Sequence, residues 1–320
     1  MGARMLSRVA DTIFWMHRYI ERVENVVRSI EVHLNLVLDL PPEIENPFLP
    51  LLDSRGDLST FELLYTEMKQ ENVMYFLVFD LRNPNALINC ISQARENARS
   101  LRERISTEMW QHINQLYLFL NNEKSKESWS IEEMFLFLEQ VKKSCYGISG
   151  LAYNTLSRTD EWHVAKLGRH LERSDQLTRI LDVQYDALLP QGQSAARTVN
   201  LIQWGTILRA TSGYEMYRRV HGVLDAKKIA LFLILNAEFP RSLRHNIFRV
   251  QEACHALTKN PIGSYHTDSE KELGKLRASL DYADQEELFY NGLHHYLDKI
   301  QDQLFDIGQL FYNDIFGFEQ

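Results

Sequence analysis

An arginine-glutamate-arginine cluster occurs twice in this chain of 320 residues, about half the chain apart and with the same spacing. The first copy is Arg18-x-x-Glu21-Arg22 and the second is Arg169-x-x-Glu172-Arg173. Steps of three and four residues place the charged side chains of each copy on one face of a helix. Because the flanking apolar positions also match, the repetition predicts two related helices, one in each half of the chain.

Two more pairs of segments match in the same order along the chain. Segment 76–80 matches 232–236, and each is followed by a proline and an acidic residue at the same distance. Segment 137–141 matches 296–300. Chance similarity between leucine-rich helices is the alternative explanation. Matching proline and acidic positions favour an internal duplication, in which loops of slightly different length join equivalent helices.

Helical periodicity runs through almost the whole chain, whereas no segment shows the alternation of a β-hairpin. The 14 glycines and 8 prolines are few for this length, which disfavours an all-β fold or extensive disorder. We therefore predict an all-α helical bundle with related halves at 1–155 and 156–320, packed as one compact domain. Pro84 and Pro240 are expected in the first turn of a helix. Long helices are predicted to end before Pro41 and Pro190, with others at about 58–79, 85–104, 107–121, 130–155, 197–221, 225–236, 241–257, 269–282 and 285–313.

Composition excludes several classes of protein. The net charge of −8 argues against a general nucleic-acid binder, whose affinity rests on neutralising phosphates. No apolar run approaches the roughly 20 residues that span a bilayer, and the start lacks the apolar stretch of a signal peptide. Three widely spaced cysteines, Cys90, Cys145 and Cys254, suggest buried thiols in a reducing compartment. We therefore expect a cytoplasmic protein without membrane or nucleic-acid contacts.

The helix that carries the first cluster is apolar around much of its circumference. A stripe from Met16 to Leu34 gives the core-facing direction, and the charged cluster falls on the opposite side. Phe14, Trp15 and Val26 also lie off this stripe. A helix of this kind is usually central, so its charged side is expected to face a partner helix or an internal cleft.

Three interpretations of the clusters remain open. The glutamates could form ordinary pairs with arginines of their own helix. The two copies could instead meet in a buried network that sets the register of the two halves. In the third interpretation, guanidinium groups from both halves line a cleft and bind a carboxylate or phosphate. Four further arginines could add to such an anion site: Arg95, Arg99, Arg241 and Arg244.

Metal and cofactor sites are not predicted. His17 and Glu21 have one-turn spacing, as do His294 and Asp298, but neither pair has the partner pair that a di-iron bundle requires. The chain also lacks a glycine-rich phosphate loop and a Gly-x-Ser-x-Gly elbow.

Several separate motifs, in the right order, resemble the bacterial alpha-E family, a domain of unknown function named for its helices and its Glu-Arg motif. The resemblance begins with residues 5–11 and 14–25, and continues through 94–99, 167–173 and 239–242. It covers nearly the whole chain. One departure is His17, where the family pattern usually carries a glycine, and this weakens any role for that histidine.

The resemblance implies a functional setting. Such proteins are typically encoded beside, or fused to, a circularly permuted ATP-grasp protein and a transglutaminase-like cysteine protease, which suggests an ATP-dependent system of peptide ligation or modification. By analogy the chain would be a helical accessory that binds the ligase, the peptide or both, and it carries no ATP site of its own. The alternative is an enzyme of the same pathway, in which Glu21 or Glu172 acts as a general base beside substrate-binding arginines.

Overall fold

A computed structural model describes residues 7–39, 46–126, 129–187, 194–290 and 292–317. All regular elements within these ranges are helical, which confirms the all-α class. The helices up to residue 155 are α1 (Ser7–Asp39), α2 (Leu49–Asp53), α3 (Leu58–Leu64), α4 (Gln70–Val78), α5 (Leu87–Ser100), α6 (Thr107–Glu123) and α7 (Ile131–Thr155).

The remaining helices begin at residue 160. They are α8 (Asp160–Ala187), α9 (Ser194–Ala210), α10 (Tyr214–His221), α11 (Ala226–Leu235), α12 (Leu243–Thr258), α13 (Asp268–Asp281), α14 (Glu287–Tyr290) and α15 (Leu293–Phe311). A π-helical turn, Tyr312–Phe316, continues α15.

Three predicted helices are interrupted where the backbone leaves the helical region. The helix expected at 58–79 breaks at Tyr65, whose backbone is extended and whose hydroxyl donates to Asp80 at 2.6 Å. The helix expected at 197–221 breaks at Ser212, and the one at 285–313 breaks at Gly292, both at positive φ. The short helix α2 lies between α1 and the helix expected from residue 58, where no helix was predicted.

The first-turn placement of Pro84 and Pro240 is wrong. Both prolines precede the helix cap, since α5 begins at Leu87 and α12 at Leu243. For α12 the cap is Ser242, whose side chain accepts a hydrogen bond from the backbone N–H of His245 at 3.2 Å. A serine cap satisfies one of the free N–H groups of the first turn, so the helix starts after it.

The parallel pair of α1 and α8 forms the centre of the molecule. Contacts advance together along both helices, from Phe14 against Gly168 to Arg18 against Glu172. A Cβ at Gly168 would lie 2.4 Å from the carbonyl oxygen of Phe14, so this glycine permits the close approach. Val26 and Glu21 are almost fully buried on α1, which confirms that the helix is enclosed on several sides.

Each central helix organises a similar set of neighbours. Helix α1 packs against α5 and α7, and α6 packs against both of these. Helix α8 packs against α12 and α15, and α13 packs against both of those. The three cysteines are buried free thiols, as predicted. None of the helices in the described ranges is both long and apolar enough to span a bilayer.

Gly168→Ala is expected to destabilise the protein by about 1–3 kcal/mol, because the added methyl group meets backbone that cannot move without separating α1 from α8. The matched control is Gly150→Ala on α7, where a Cβ meets no atom within 4 Å. That control should be neutral or stabilising by about 0.5–1 kcal/mol. Urea and thermal unfolding measure both, and equal stability of the two variants would contradict the close packing.

Candidate binding site

Glu172 on α8 binds both arginines of the first cluster. Its Oε2 accepts a hydrogen bond from Nε of Arg18 at 2.7 Å, and its Oε1 accepts one from Nε of Arg22 at 2.6 Å. The Glu172 side chain is fully buried, whereas each arginine side chain is 17% exposed. Two charge-assisted hydrogen bonds thus hold a carboxylate inside the protein while its partners reach the surface.

Glu21 on α1 makes the reciprocal interaction with Arg173 on α8. Nε and Nη2 of Arg173 donate to the two carboxylate oxygens, both at 2.7 Å, in the bidentate geometry that guanidinium groups favour. Asn25 adds a hydrogen bond to Glu21 at 3.3 Å. The two Glu-Arg clusters therefore contact each other directly across the central helix pair.

The network continues beyond the two motifs. Arg241, from the turn before α12, donates to Glu24, and also to Asn25 at 3.0 Å. Arg28 donates to Glu24 at 3.2 Å and also contacts Ser212. The second half of the chain thus supplies Arg241 to the acidic groups of α1.

Positive charge exceeds negative charge in this network. Five guanidinium groups face three carboxylates among the described residues: Arg18, Arg22, Arg28, Arg173 and Arg241 against Glu21, Glu24 and Glu172. A surplus of positive charge in a largely buried environment favours binding of an anion.

Both central glutamates are held in the charged form. Burial acts to raise the pKa of Glu172, but the charges and hydrogen bonds of Arg18 and Arg22 outweigh it and lower the pKa to about 2. Burial likewise opposes ionisation of Glu21, yet Arg173 and Arg241 hold its pKa well below the ordinary value. Carboxylates with such depressed pKa values accept protons poorly at neutral pH.

Arg169 and His17 are packed near this network without joining it. Arg169 makes no hydrogen bond or ion pair among the described residues, and burial lowers its pKa. His17 is 3% exposed, and burial together with the charge of Arg169 lowers its pKa to about 3. His17 is therefore neutral, and its buried Nε2 has no partner within the described ranges.

A cavity of about 550 Å³ opens beside Arg18 and Arg22, between α1, α8 and α15. Arg179 reaches it from the α8 side. The Arg18 guanidinium lies 4.8 Å from the centre of the Trp15 ring, within the range of a cation–π contact. We call this cavity the arginine pocket.

The wall formed by α15 and the π-helical turn carries both polar and apolar side chains where it meets the arginine pocket. Gln301 lines the pocket, and its buried Nε2 has no hydrogen-bond partner among the described residues. The Tyr312 hydroxyl accepts from Trp15 Nε1 at 2.7 Å and donates to Asp11 at 3.0 Å. The two hydrogen bonds of the Tyr312 hydroxyl fix aromatic side chains in the wall of the pocket. The amide of Gln301 offers a hydrogen-bond donor to a ligand.

Three of the four additional arginines lie elsewhere. Arg95 binds Asn114 at 2.7 Å, and Arg99 binds Glu96 at 2.6 Å. Arg244 binds Asp281 at 2.7 Å. Neither these three nor Arg241 line the arginine pocket.

The pair of His294 and Asp298, one turn apart on α15, also contacts a residue of another helix. His294 contacts Asp298 at 3.3 Å and Asp182 of α8 at 2.5 Å, so three potential metal ligands lie together on the surface. The two carboxylates contact different ring nitrogens of His294, which is the geometry of a hydrogen-bonded histidine. We assign no metal to this group.

Glu24, Arg28 and Arg179 were missed as site residues. A usable signal was present, because Glu24 and Arg28 on α1 correspond to Asp175 and Arg179 on α8, one and two turns beyond the motif. No sequence pattern marks Gln301 as a pocket residue, because its position in the pocket depends on how α15 packs against α8.

A double-mutant cycle of Glu21→Gln and Arg173→Gln should show strong coupling. Each single substitution leaves a buried charge without its partner and is expected to cost about 3–5 kcal/mol, whereas the double variant loses less than the sum. Urea unfolding measures the free energies. The control pair Glu139 and Lys143 is exposed, with an expected coupling of about 0–1 kcal/mol. Additive losses at Glu21 and Arg173 would contradict the pairing.

Acid sensitivity should depend on Glu172. The pKa of Glu172 in the folded protein, about 2, lies below the ordinary value of 4.5. The contribution of Glu172 to the free energy of unfolding is therefore fully present above pH 4.5 and is lost as the pH falls toward 2. Glu172→Gln should therefore lower the melting temperature at pH 7, with a difference from wild type that narrows below pH 4.5. Glu62→Gln, at an exposed position of α3, is the control. A difference independent of pH would argue against a depressed pKa.

Comparison with known proteins identifies the family. The model of the Alpha-E family, an alpha-helical domain with a conserved ER motif, matches residues 5–316. Uncharacterized proteins of Mycobacterium bovis and of Mycobacterium tuberculosis strain CDC 1551 are each 22% identical over 262 residues, which covers 76% of this chain and 29% of the relative. The chain thus spans less than a third of the length of these curated relatives. No solved structure matches it significantly. On the match to its motif and to nearly its full length, the chain belongs to the Alpha-E family.

Proposed function

We propose that the chain is a non-catalytic binding protein whose arginine pocket binds a carboxylate of a peptide. The observation that carries this proposal is that Arg18, Arg22 and Arg179 line one open cavity of about 550 Å³. Guanidinium groups bind carboxylates through paired, charge-assisted hydrogen bonds.

The arginines retain donors for a ligand. Arg18 uses Nε to bind Glu172, and Arg179 uses Nε to bind Asp175 at 3.1 Å. The terminal nitrogens of both make no other hydrogen bond to described residues. Glu172 and Trp15 hold Arg18 in place, so less side-chain entropy is lost when a ligand binds.

The general-base alternative has weaker support. Glu21 and Glu172 are engaged by arginines, and their pKa values are depressed. A general base works best with a pKa near the operating pH, so these carboxylates suit a role in orienting arginines. Arg95, Arg99 and Arg244, which pair with other residues, are left out of the proposed site.

The biological setting is proposed from the family resemblance. We propose that the chain is a cytoplasmic accessory in an ATP-dependent peptide ligation or modification system. Its partners would be a circularly permuted ATP-grasp protein, a transglutaminase-like protease, or both.

We also propose that the central helix pair arose by duplication of one half, with the division near residues 155 and 156. The reciprocal Glu21–Arg173 and Arg22–Glu172 pairs support it. So does the similar order of helices around α1 and α8.

Isothermal titration calorimetry with N-acetyl-Ala-Ala-Ala tests the binding function. The free acid is expected to bind at least about 10-fold more tightly than its amide, because a charged acceptor adds about 1.5–3 kcal/mol per hydrogen bond. Arg179→Gln should reduce this preference without lowering the melting temperature, since Arg179 lies outside the buried network.

The matched control is Arg99→Gln, at an arginine that is also exposed but lies on α5 away from the pocket. It should leave binding unchanged. Equal affinity for the acid and the amide would refute carboxylate recognition, as would an equal effect of the Arg179 and Arg99 substitutions.

A further inference from the structure

We infer that the arginine pocket is the end of a longer groove that crosses α15 and then follows it. This groove binds a peptide with a cationic side chain and then an apolar side chain upstream of its carboxylate. This inference rests on the proposed function. It also assigns two subsites beyond the carboxylate site.

The first step is that three neighbouring cavities share lining residues on α15 and on the turn that follows it. The arginine pocket shares Gln309 and Asn313 with a cavity of about 360 Å³, which we call the acidic pocket because Glu272 and Asp306 line it. The acidic pocket in turn shares Gln303 with a cavity of about 370 Å³ between α13 and α15. We call this third cavity the tyrosine pocket.

The second step is the length of the groove. The residues of α15 and of the π-helical turn that line the acidic and tyrosine pockets follow one stripe at steps of three and four, from Tyr296 to Asn313. At 1.5 Å per residue this stripe is about 25 Å long. An extended peptide advances about 3.3 Å per residue, so a segment of several residues fits along this stripe.

The acidic pocket selects for positive charge. Glu272 is paired with Lys275 at 2.6 Å, whereas Asp306 is exposed and makes no ion pair among the described residues. A lysine or arginine side chain of the ligand would complement Asp306. The same carboxylates would repel a nucleic-acid strand.

The tyrosine pocket suits an apolar side chain. Tyr282 is 89% exposed at its rim and Leu288 is buried at its base. The buried hydroxyl of Tyr296 has no hydrogen-bond partner in the described parts of the chain, so it can donate to a peptide carbonyl. An aromatic side chain of the ligand would pack against Tyr282 at the rim of the pocket. The hydroxyl of Tyr296 would remain free to donate to the peptide backbone.

Side-chain amides stand at the two junctions between cavities. Gln309 and Asn313 lie between the arginine and acidic pockets, and Gln303 lies between the acidic and tyrosine pockets. An amide both donates and accepts hydrogen bonds, which matches an extended peptide backbone. This alternation of charge, amides and an apolar pocket favours a peptide ligand.

The spacing of the subsites sets the expected sequence. Crossing α15 from the arginine pocket covers about 10 Å, or about three extended residues. Moving from Asp306 to Ile300 along the helix covers about 9 Å, which is again about three residues. The expected ligand carries Lys three residues before its carboxyl-terminal residue and Phe six residues before it.

Calorimetric titration with N-acetyl-Phe-Ala-Ala-Lys-Ala-Ala-Ala tests the groove. The free acid is expected to bind at least about 10-fold more tightly than N-acetyl-Ala-Ala-Ala, and replacing its Lys by Glu should remove most of that gain. Asp306→Asn should abolish the preference for Lys over Glu. Tyr296→Phe should lower the affinity for the long peptide and leave the affinity for the tripeptide unchanged.

Asp302→Asn is the matched control, because Asp302 is exposed on α15 but lines none of the three cavities. It should leave the preference for Lys unchanged. If the tripeptide acid binds and the long peptide gains nothing, the groove is overturned and the proposed function stands. If the long peptide binds equally as acid and amide, with its preference for Lys intact, the groove stands and carboxylate anchoring fails. If no peptide binds, both are overturned.

Discussion

The reciprocal ion pairs between α1 and α8 are the interaction on which the rest of the structure depends. Glu21 pairs with Arg173, and Glu172 pairs with Arg18 and Arg22, at a contact that Gly168 makes close enough. A buried carboxylate without its arginine would carry a large desolvation cost, so other registers of the two helices are disfavoured. The pairs thus contribute more to the specificity of the arrangement than to its net stability.

The same pairs give the arginines two roles. Their inner faces hold the glutamates in the charged state, and this lowers the pKa of Glu172 to about 2. The outer edges of Arg18 and Arg22 reach the arginine pocket, where Arg179 joins them. Since the network has more guanidinium groups than carboxylates, its own carboxylates do not neutralise all of its positive charge. Structural and binding interpretations of the motif are therefore compatible.

Much of the fold could be predicted from local patterns. The spacing of Met16, Ile20 and Val23 by four and three positions predicts a helix with one apolar face. The structure confirms α1 as an enclosed central helix. Breaks at Ser212 and Gly292 were missed because they depend on individual backbone conformations at positive φ. Among the candidate site residues, Arg241 contacts the network and Arg244 does not, although they are one turn apart. Which of them reaches Glu24 depends on how the turn before α12 docks onto α1.

The sequence by itself determined the helical class, the two charged clusters and the family, because these follow from periodicity and residue identity. Only the tertiary structure decided that the clusters pair reciprocally and that α15 closes a cavity beside them. Gln301 and Asp306 are ordinary polar residues in the sequence, and only their position against α8 and α13 places them in the walls of cavities. The physical reason is that helix periodicity is set by neighbours within one turn. Ion pairing and cavity shape, in contrast, are set by the register between helices about half the chain apart.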